Sequence, residues 1–562
     1  MDVKLPIALL LLAAPSFLCG QNPAPTSRIR FEEIAQKAGV HYITANSATP
    51  NKNQPETMVA GVALLDYDRD GYLDIFLVSG AEIPSLEKTS PKYWNRLYHN
   101  NHDGTFTDVT EKAGVAGKGY GIGVAVGDYD NDGYPDIFVA NVTGNQLLHN
   151  NGDGTFTDVT AKAGLEGATL DGKKMWSVGA GWFDYNNDGL LDLFVVNYTK
   201  WEVNKDPDCR FGVAGARGYC HPRYYTALHN TLYRNNGDGT FTDVSEETGI
   251  SKSFGKGMSV SFADYDGDGF LDAFVANDTT QNFLFHNLGG KKFEEVGEVK
   301  GVAYAADGKA LSGMGSDFAD VDNDCRPDIW HTAVEHEAFP LYVLGKQGYF
   351  DDKTIVSGLA TSTYEMSGWG NGIFDFDNDG WKDLFVARAN VMDNVSVVNP
   401  SRRYPEPNAV FRNLGGGKFQ DVSSTAGPDF QAEAAHRGVA FGDLDNDGRI
   451  DMVVSVLNGP AKIFHNISQT NNHWILLNLV GTKSNRMGIG AQIRLTTEDG
   501  LVQCNQVTTA VGYASSSDSR VHFGLGSNKA IREIDIRWPS GIRQAINEPA
   551  IDRILTIQEP AK

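Results

Sequence analysis

Seven copies of one nine-residue pattern, DxDxDGxxD or a close variant, constrain this chain more than any other feature. They begin at Asp66, Asp128, Asp184, Asp264, Asp320, Asp375 and Asp443, so successive starts lie 62, 56, 80, 56, 55 and 68 residues apart. A period near fifty suits a propeller blade better than a solenoid coil of about 20 residues. Two further markers recur in step. Phe31, Phe106, Phe156, Phe241, Phe293, Phe350 and Phe419 each open an FxD/E-like stretch. An apolar pair precedes His-Asn at Leu97-Tyr98-His99-Asn100, Leu147-Leu148-His149-Asn150, Leu284-Phe285-His286-Asn287 and Ile463-Phe464-His465-Asn466. Short β-favouring runs such as 61–65 and 136–140, bounded by Gly, Asn and Asp, read as strands. Four such strands per repeat, with no long helical segment, predict an all-β chain built as a seven-bladed β-propeller followed by a small β-sandwich-like region.

Acids at alternate positions, a glycine bend and a ninth-position Asp are how a short loop wraps hard oxygen ligands around one calcium ion, so up to seven Ca2+ are expected. In the first loop Asp66, Asp68, Asp70 and Asp74 offer carboxylates and Tyr72 a backbone carbonyl. The second offers Asp128, Asp130, Asp132, Tyr134 and Asp136; the fourth Asp264, Asp266, Asp268, Phe270 and Asp272. The sixth offers Asp375, Asp377, Asp379, Trp381 and Asp383; the seventh Asp443, Asp445, Asp447, Arg449 and Asp451. The third (Asp184, Asn186, Asp188, Leu190, Asp192) exchanges a carboxylate for an amide, which predicts weaker binding. The fifth (Asp320, Asp322, Asp324, Arg326, Asp328) places Cys325 where the others have Gly, and a Cβ at a position needing positive φ predicts distortion there. Repetition in every blade favours a structural role for the ions; the other reading leaves loop three or five open to a partner's carboxylate.

The net charge of −23 argues against nucleic acid, whose binders need a basic face. Lys4, the apolar stretch 5–14 and small residues near Cys19 and Gly20 read as a secretory signal over 1–20, followed by a linker over 21–27; a lipid-modified Cys19 is the competing reading. No other run of 18 apolar residues occurs, so no transmembrane segment is expected and the protein is placed outside the cytoplasm: secreted, periplasmic or at the cell surface. Cys209 and Cys220 flank a short segment inside an insertion and are expected to pair.

The repeat resembles the FG-GAP or VCBS type of propeller blade, the kind also found in integrin α-subunit heads, over roughly residues 28–470. The tail, 471–562, resembles the ASPIC/UnbV domain through Ser484-Asn485-Arg486-Met487-Gly488-Ile489-Gly490-Ala491, Gly512-Tyr513-Ala514-Ser515-Ser516 and Trp538-Pro539-Ser540-Gly541. Together they are similar to the cartilage acidic protein family, which implies a secreted calcium-binding protein without an established catalytic role. Alternation in 474–480, 493–496 and 534–538 predicts that the tail forms its sandwich beside the propeller.

In an antiparallel meander successive connections alternate between faces, so the insertions 81–96, 199–231 and 389–408 fall opposite the acidic loops. Loops of this length are usually functional or disordered. They hold Trp201, Phe211, Tyr219, Tyr224 and Tyr225 among Arg210, Arg217 and Arg223, with Arg402, Arg403, Tyr404, Tyr93 and Trp94 alongside; these are recognition residue types or anchors for the loops. Catalytic constellations are thin. His331, Glu335 and His336 have the wrong spacing for a metal protease, and Ser515, Ser516, Asp518 and His522 are adjacent in sequence, which does not make a triad. The resulting expectation is a monomeric, non-enzymatic binding or adhesion propeller whose partner is an extracellular protein or glycan. The alternative is an extracellular polysaccharide hydrolase or lyase with its site in the central depression of the inserted-loop face.

Overall fold

A computed structural model describes residues 28–212 and 215–561. The expected signal over 1–20 and linker over 21–27, with Cys19, lie outside the described residues. Those described form seven four-stranded antiparallel sheets with the same internal order. In the first, Val62–Leu65 precedes the acidic loop, Asp74–Leu77 follows it, Arg96–Asn100 carries the aromatic-Asn marker and Phe106–Asp108 the Phe marker. The strands that precede the acidic loops stand side by side in a closed ring. Closure uses the chain's beginning: Phe31–Glu33 pairs with Lys462–Asn466, Phe31 opposite Asn466, and so completes the last sheet. Where Gly123 meets the neighbouring inner strand there is no room for a side chain. A Cβ on Gly123 would lie 2.3 Å from the Val178 carbonyl oxygen.

The apolar residues sit between neighbouring sheets, where one face of each covers the next. Leu65, Phe76 and Val78 of the first sheet pack with Val124, Val126 and Ile137 of the second; burying each such side chain stabilises by roughly 1.5–3 kcal/mol. The marker Asn adds a polar clamp. Asn150 donates to Tyr67 O of the preceding blade at 2.8 Å, Asn235 to Tyr129 O at 2.8 Å and Asn466 to Phe376 O at 2.9 Å, each pinning the second residue of the neighbour's acidic loop. Four of the five Asn that open N-x-S/T sequences, Asn141, Asn197, Asn277 and Asn466, are buried in the folded protein.

The C-terminal region forms two sheets. His473–Val480 lies between Val521–Gly526 and Arg553–Gln558, and the second sheet runs in the order Val502–Gln506, Gln492–Thr497, Ile531–Arg537, Arg543–Asn547. Ile475, Leu477, Ile493, Leu495, Ile534 and Ile536 share one core between them. Contrary to expectation, this region does not stand beside the ring. It covers the acidic-loop end, and residues 509–518 run into the axis. Ala514 O accepts from Val124 N at 3.0 Å, Gly512 N donates to Ser316 O at 2.9 Å and Ser516 N to Val62 O at 2.9 Å. Inner strands of converging sheets leave main-chain donors and acceptors facing the axis, and buried groups of that kind need partners; the C-terminal segment supplies them. At its tip Tyr513, fully buried, donates to Met58 O at 2.9 Å beside Trp369.

Candidate metal loops

Each acidic loop is wound by its own carboxylates. The position-one oxygens accept from the main chain at positions five and six, Asp66 from Asp70 N at 3.0 Å and Gly71 N at 3.0 Å, Asp375 from Asp379 N at 3.1 Å and Gly380 N at 2.8 Å; in loop four Asp264 accepts from positions four and six, Gly267 N and Gly269 N. The position-five carboxylate accepts from the N–H of position seven, at Tyr72, Tyr134, Leu190, Phe270, Arg326, Trp381 and Arg449. The ninth carboxylate brackets the loop. Asp136 takes Tyr129 N at 3.2 Å on one oxygen and Asn150 N at 2.8 Å on the other. Loop five is not distorted, which corrects the expectation drawn from Cys325. Cys325 takes φ +64° and donates to Asp320 at 2.9 Å just as the glycines do.

Carboxylates crowd in these loops with little water around them. Burial, ahead of the neighbouring acids, pushes Asp74 up to about 9, Asp128 and Asp184 to about 7 and Asp443 to about 8. Asp68 Oδ1, Asp322 Oδ1 and Asp377 Oδ1 are buried and accept no hydrogen bond. Asp377 is only 1% exposed. Orphaned carboxylate oxygens of this kind call for a cation. The ligand atoms of Asp66, Asp68 and Asp74 lie within 4.8 Å of one another. An all-oxygen donor set of this density fits a hard divalent ion.

Residues that the loop pattern alone does not reveal complete the sites. His99, His149, His286 and His465 turn onto the ninth Asp, Nδ1 to Oδ1 at 3.3, 3.1, 3.1 and 3.1 Å. The hydrogen bond to Asp451 raises His465 to about 9 and those to Asp136 and Asp272 raise His149 and His286. In blade six Arg412 takes the same place, 3.0 Å from Asp377 and 2.6 Å from Asp379. The signal was present in the third marker: strand alternation puts the residue before its Asn over the neighbouring Asp. The loops are also joined to one another. The fourth-position Asn donates to the sixth-position carbonyl of the next loop at Asn131–Gly189, Asn187–Gly269, Asn323–Gly380, Asn378–Gly448 and Asn446–Gly71, at 2.9–3.0 Å. Arg69 and Gly267 stand where the chain of bonds breaks.

The C-terminal region binds this face directly. Gln492 donates to Asp264 at 3.0 Å, Asn472 to Asp377 O at 2.8 Å and Arg520 to Asp443 O at 3.0 Å. A disulfide joins Cys325 to Cys504, and buried Lys382 donates to Asp320 O and Cys504 O, both at 3.1 Å.

At the opposite end the insertions lock together. Cys209 is bonded to Cys220 as expected. Lys52 pairs with Asp393 at 2.6 Å, Tyr219 donates to Glu56 at 3.2 Å and Asn394 to Arg217 O at 2.7 Å. Most of the loop aromatics are anchors: Tyr93 and Tyr219 are buried, Trp201 donates to Asp206 at 2.6 Å, and Tyr225 bonds the same carboxylate. Tyr224, Arg210 and Arg223 remain exposed. The suspected catalytic strings do not assemble. Ser515 donates to Tyr513 O, His522 bonds Gly448 O and Asp518 pairs with Arg520. His331 is buried against Asn282 while Glu335 pairs with Arg402.

The family model described as FG-GAP-like repeat matches residues 66–139, 128–195, 218–275, 264–331 and 375–454, and that described as ASPIC and UnbV matches 481–562. The chain is 24% identical to Cartilage acidic protein 1 of Xenopus tropicalis over 535 residues, covering 90% of this chain and 75% of that protein. Against Cartilage acidic protein 1 of Homo sapiens it is 24% identical over 510 residues, 87% of this chain and 70% of that one. Among solved structures, an Agrocybe aegerita lectin that recognises non-reducing terminal N-acetylglucosamine aligns over 72% of this chain and 86% of its own, at 18% identity and a TM-score of 0.40.

Proposed function

The chain belongs to the FG-GAP-like repeat proteins, with an ASPIC and UnbV domain at its end, and from that premise we propose that it is an extracellular binding or adhesion protein made rigid by structural calcium. In this reading residues 28–470 form the calcium-binding propeller and 471–562 a domain that closes its metal-bearing end. The observation that carries the reading is the set of buried loop carboxylates with oxygens lacking any partner, Asp377 above all. Asp66, Asp68, Asp70 and Asp74 and their equivalents would hold the ions, with the bracketing hydrogen bonds fixing the ninth Asp. Calcium supplies charge neutralisation there. The histidines, already paired to the ninth Asp, would hold the loops together at low calcium.

Two disulfides fit an oxidising compartment, and no helix among the described residues is long and apolar enough to cross a membrane. Free calcium outside cells suits sites with dissociation constants of about 0.1–1 mM. The inserted-loop end, held by the Cys209–Cys220 bond and by contacts among the insertions 199–231 and 389–408 and residues 52–56, is the surface offered to a protein or glycan partner. A non-enzymatic role is supported by the filled axis: Tyr513 and Trp369 stand where a central active site would need space. Titration of chelator-stripped protein with calcium chloride at pH 7.5 tests the proposal. Several ions bound per chain at millimolar calcium are expected; absence of binding up to 5 mM, about fivefold above the weakest extracellular modules, would overturn it.

A further inference from the structure

The chain of loop-to-loop hydrogen bonds fails between blades four and five because Gly267 has no side chain to offer. At that break a cleft of about 770 Å³ opens between the propeller and the four-stranded C-terminal sheet. We propose that this cleft binds an anionic oligosaccharide, one that carries carboxylate or sulfate ester groups. It lies at the other end of the molecule from the inserted loops, so the inference stands apart from the partner surface described above.

The sheet's inner face buries Ile493, Leu495, Ile534 and Ile536 in the domain core, and period-2 alternation turns the residues between them toward the cleft. Across that outer face Gln506, Gln492, Arg537 and Arg543 form one cross-strand row, and Cys504, Arg494, Asp535 and Ala545 the next. Arg537 stands directly opposite Arg543. Like charges in that relation destabilise a sheet, so stability alone does not account for the row. From the propeller side Lys346 faces the same space. Arg537 is held against loop four, 3.5 Å from Asp264, whereas Lys346, Arg494 and Arg543 are exposed and make no ion pair among the described residues. Asp264, Asp266, Asp320 and Asp535 also line the cleft, the first three within the acidic loops, so the three unpaired cations, Lys346, Arg494 and Arg543, are what an anionic ligand would meet in a chain of net charge −23.

Guanidinium forks match carboxylate and sulfate bidentately. The lining also carries Gln492 and Gln506, whose NH2 groups are held by Asp264 and Phe262 O, which leaves their amide oxygens to accept from sugar hydroxyl groups. A volume within the usual small-ligand range of about 300–1,000 Å³ holds a few sugar units rather than a protein face.

Calorimetry on the full chain in 50 mM sodium chloride and 1 mM calcium chloride, salt being low enough to leave exposed charges unscreened over about 10 Å, tests this with a heparin-derived hexasaccharide and tetragalacturonate. Maltohexaose and hexaglutamate serve as the neutral and peptide counterparts. At least one anionic saccharide is expected to bind, and Arg494→Ala/Arg543→Ala to weaken it about tenfold or more, the loss of about 1.4 kcal/mol. Both arginines are exposed, so the variant's melting temperature should match that of the wild type. Arg532→Ala, an exposed charge outside the cleft, should leave affinity unchanged. The proposal is overturned if neither anionic saccharide binds, if maltohexaose or hexaglutamate binds as tightly, if the double variant keeps full affinity, or if Arg532→Ala weakens binding equally.

Discussion

If the C-terminal segment is part of the propeller's core, truncating its tip should destabilise the whole chain. Tyr513 is fully buried, its ring centroid lies 5.3 Å from that of Trp369 and its hydroxyl donates to Met58 O at 2.9 Å. Removing a buried aromatic side chain costs about 3–5 kcal/mol, because packing around the axis cannot collapse into the space. Leaving a buried carbonyl without its donor adds about 1–3 kcal/mol. Tyr513→Ala should therefore lose several kcal/mol, and Tyr513→Phe, which keeps the ring but strips the same carbonyl of its donor, only about 1–3 kcal/mol. The assay is urea denaturation of calcium-loaded protein, followed in parallel by tryptophan emission and far-ultraviolet circular dichroism. The emission sums nine indoles, from Trp369 at the axis to Trp538 in the C-terminal core, and the dichroism reports on every sheet, so coincident transitions mean that plug and ring unfold together. A Tyr513→Ala variant within 1 kcal/mol of Tyr513→Phe, a gap smaller than any buried-aromatic truncation, would refute the reasoning, as would two separated transitions in the wild type.

Other outcomes follow from the same geometry. Asn150→Ala strips donors from Tyr67 O and Pro135 O and should lower stability by about 1–3 kcal/mol without abolishing calcium binding. Losing the Cys325–Cys504 bond, which spans 179 residues, should cost about 5 kcal/mol on the chain-entropy account, against about 3 kcal/mol for Cys209–Cys220, which spans 11; denaturation of Cys504→Ser and Cys220→Ser compares them. Burial lowers His331, His436 and His522 to about 4, whereas the unfolded value is about 6.5. As pH falls, the unfolded chain takes up these protons first. Stability is thus full above about pH 6.5 and declines toward pH 4, by up to about 3 kcal/mol per group. Melting curves from pH 7.5 to 4.5 should show a shallower decline for His436→Gln than for the wild type.

What could be read from the sequence and what could not divide along a physical line. Each acidic loop is local: position one binds the main chain only a few residues on, so a nine-residue pattern carries its geometry and its oxygen-rich donor set. The blades were legible for a related reason, because two adjacent hairpins span little sequence and repeat. Phe31 opens the same FxD/E marker as the other six, although nothing local says that its strand completes the last sheet. The tail's placement depends instead on pairings across hundreds of residues, Val62 with Ser516 and Ser316 with Gly512, and no spacing encodes those. Cys325 joins the two regimes. Its positive φ is the strain that the missing glycine implies, and the bond to Cys504 gives the reason for tolerating it. A glycine there would relax the loop but release the domain that covers it. The loop that lacks its glycine is therefore the point at which a repeated local device is tied to a distant, single-copy one.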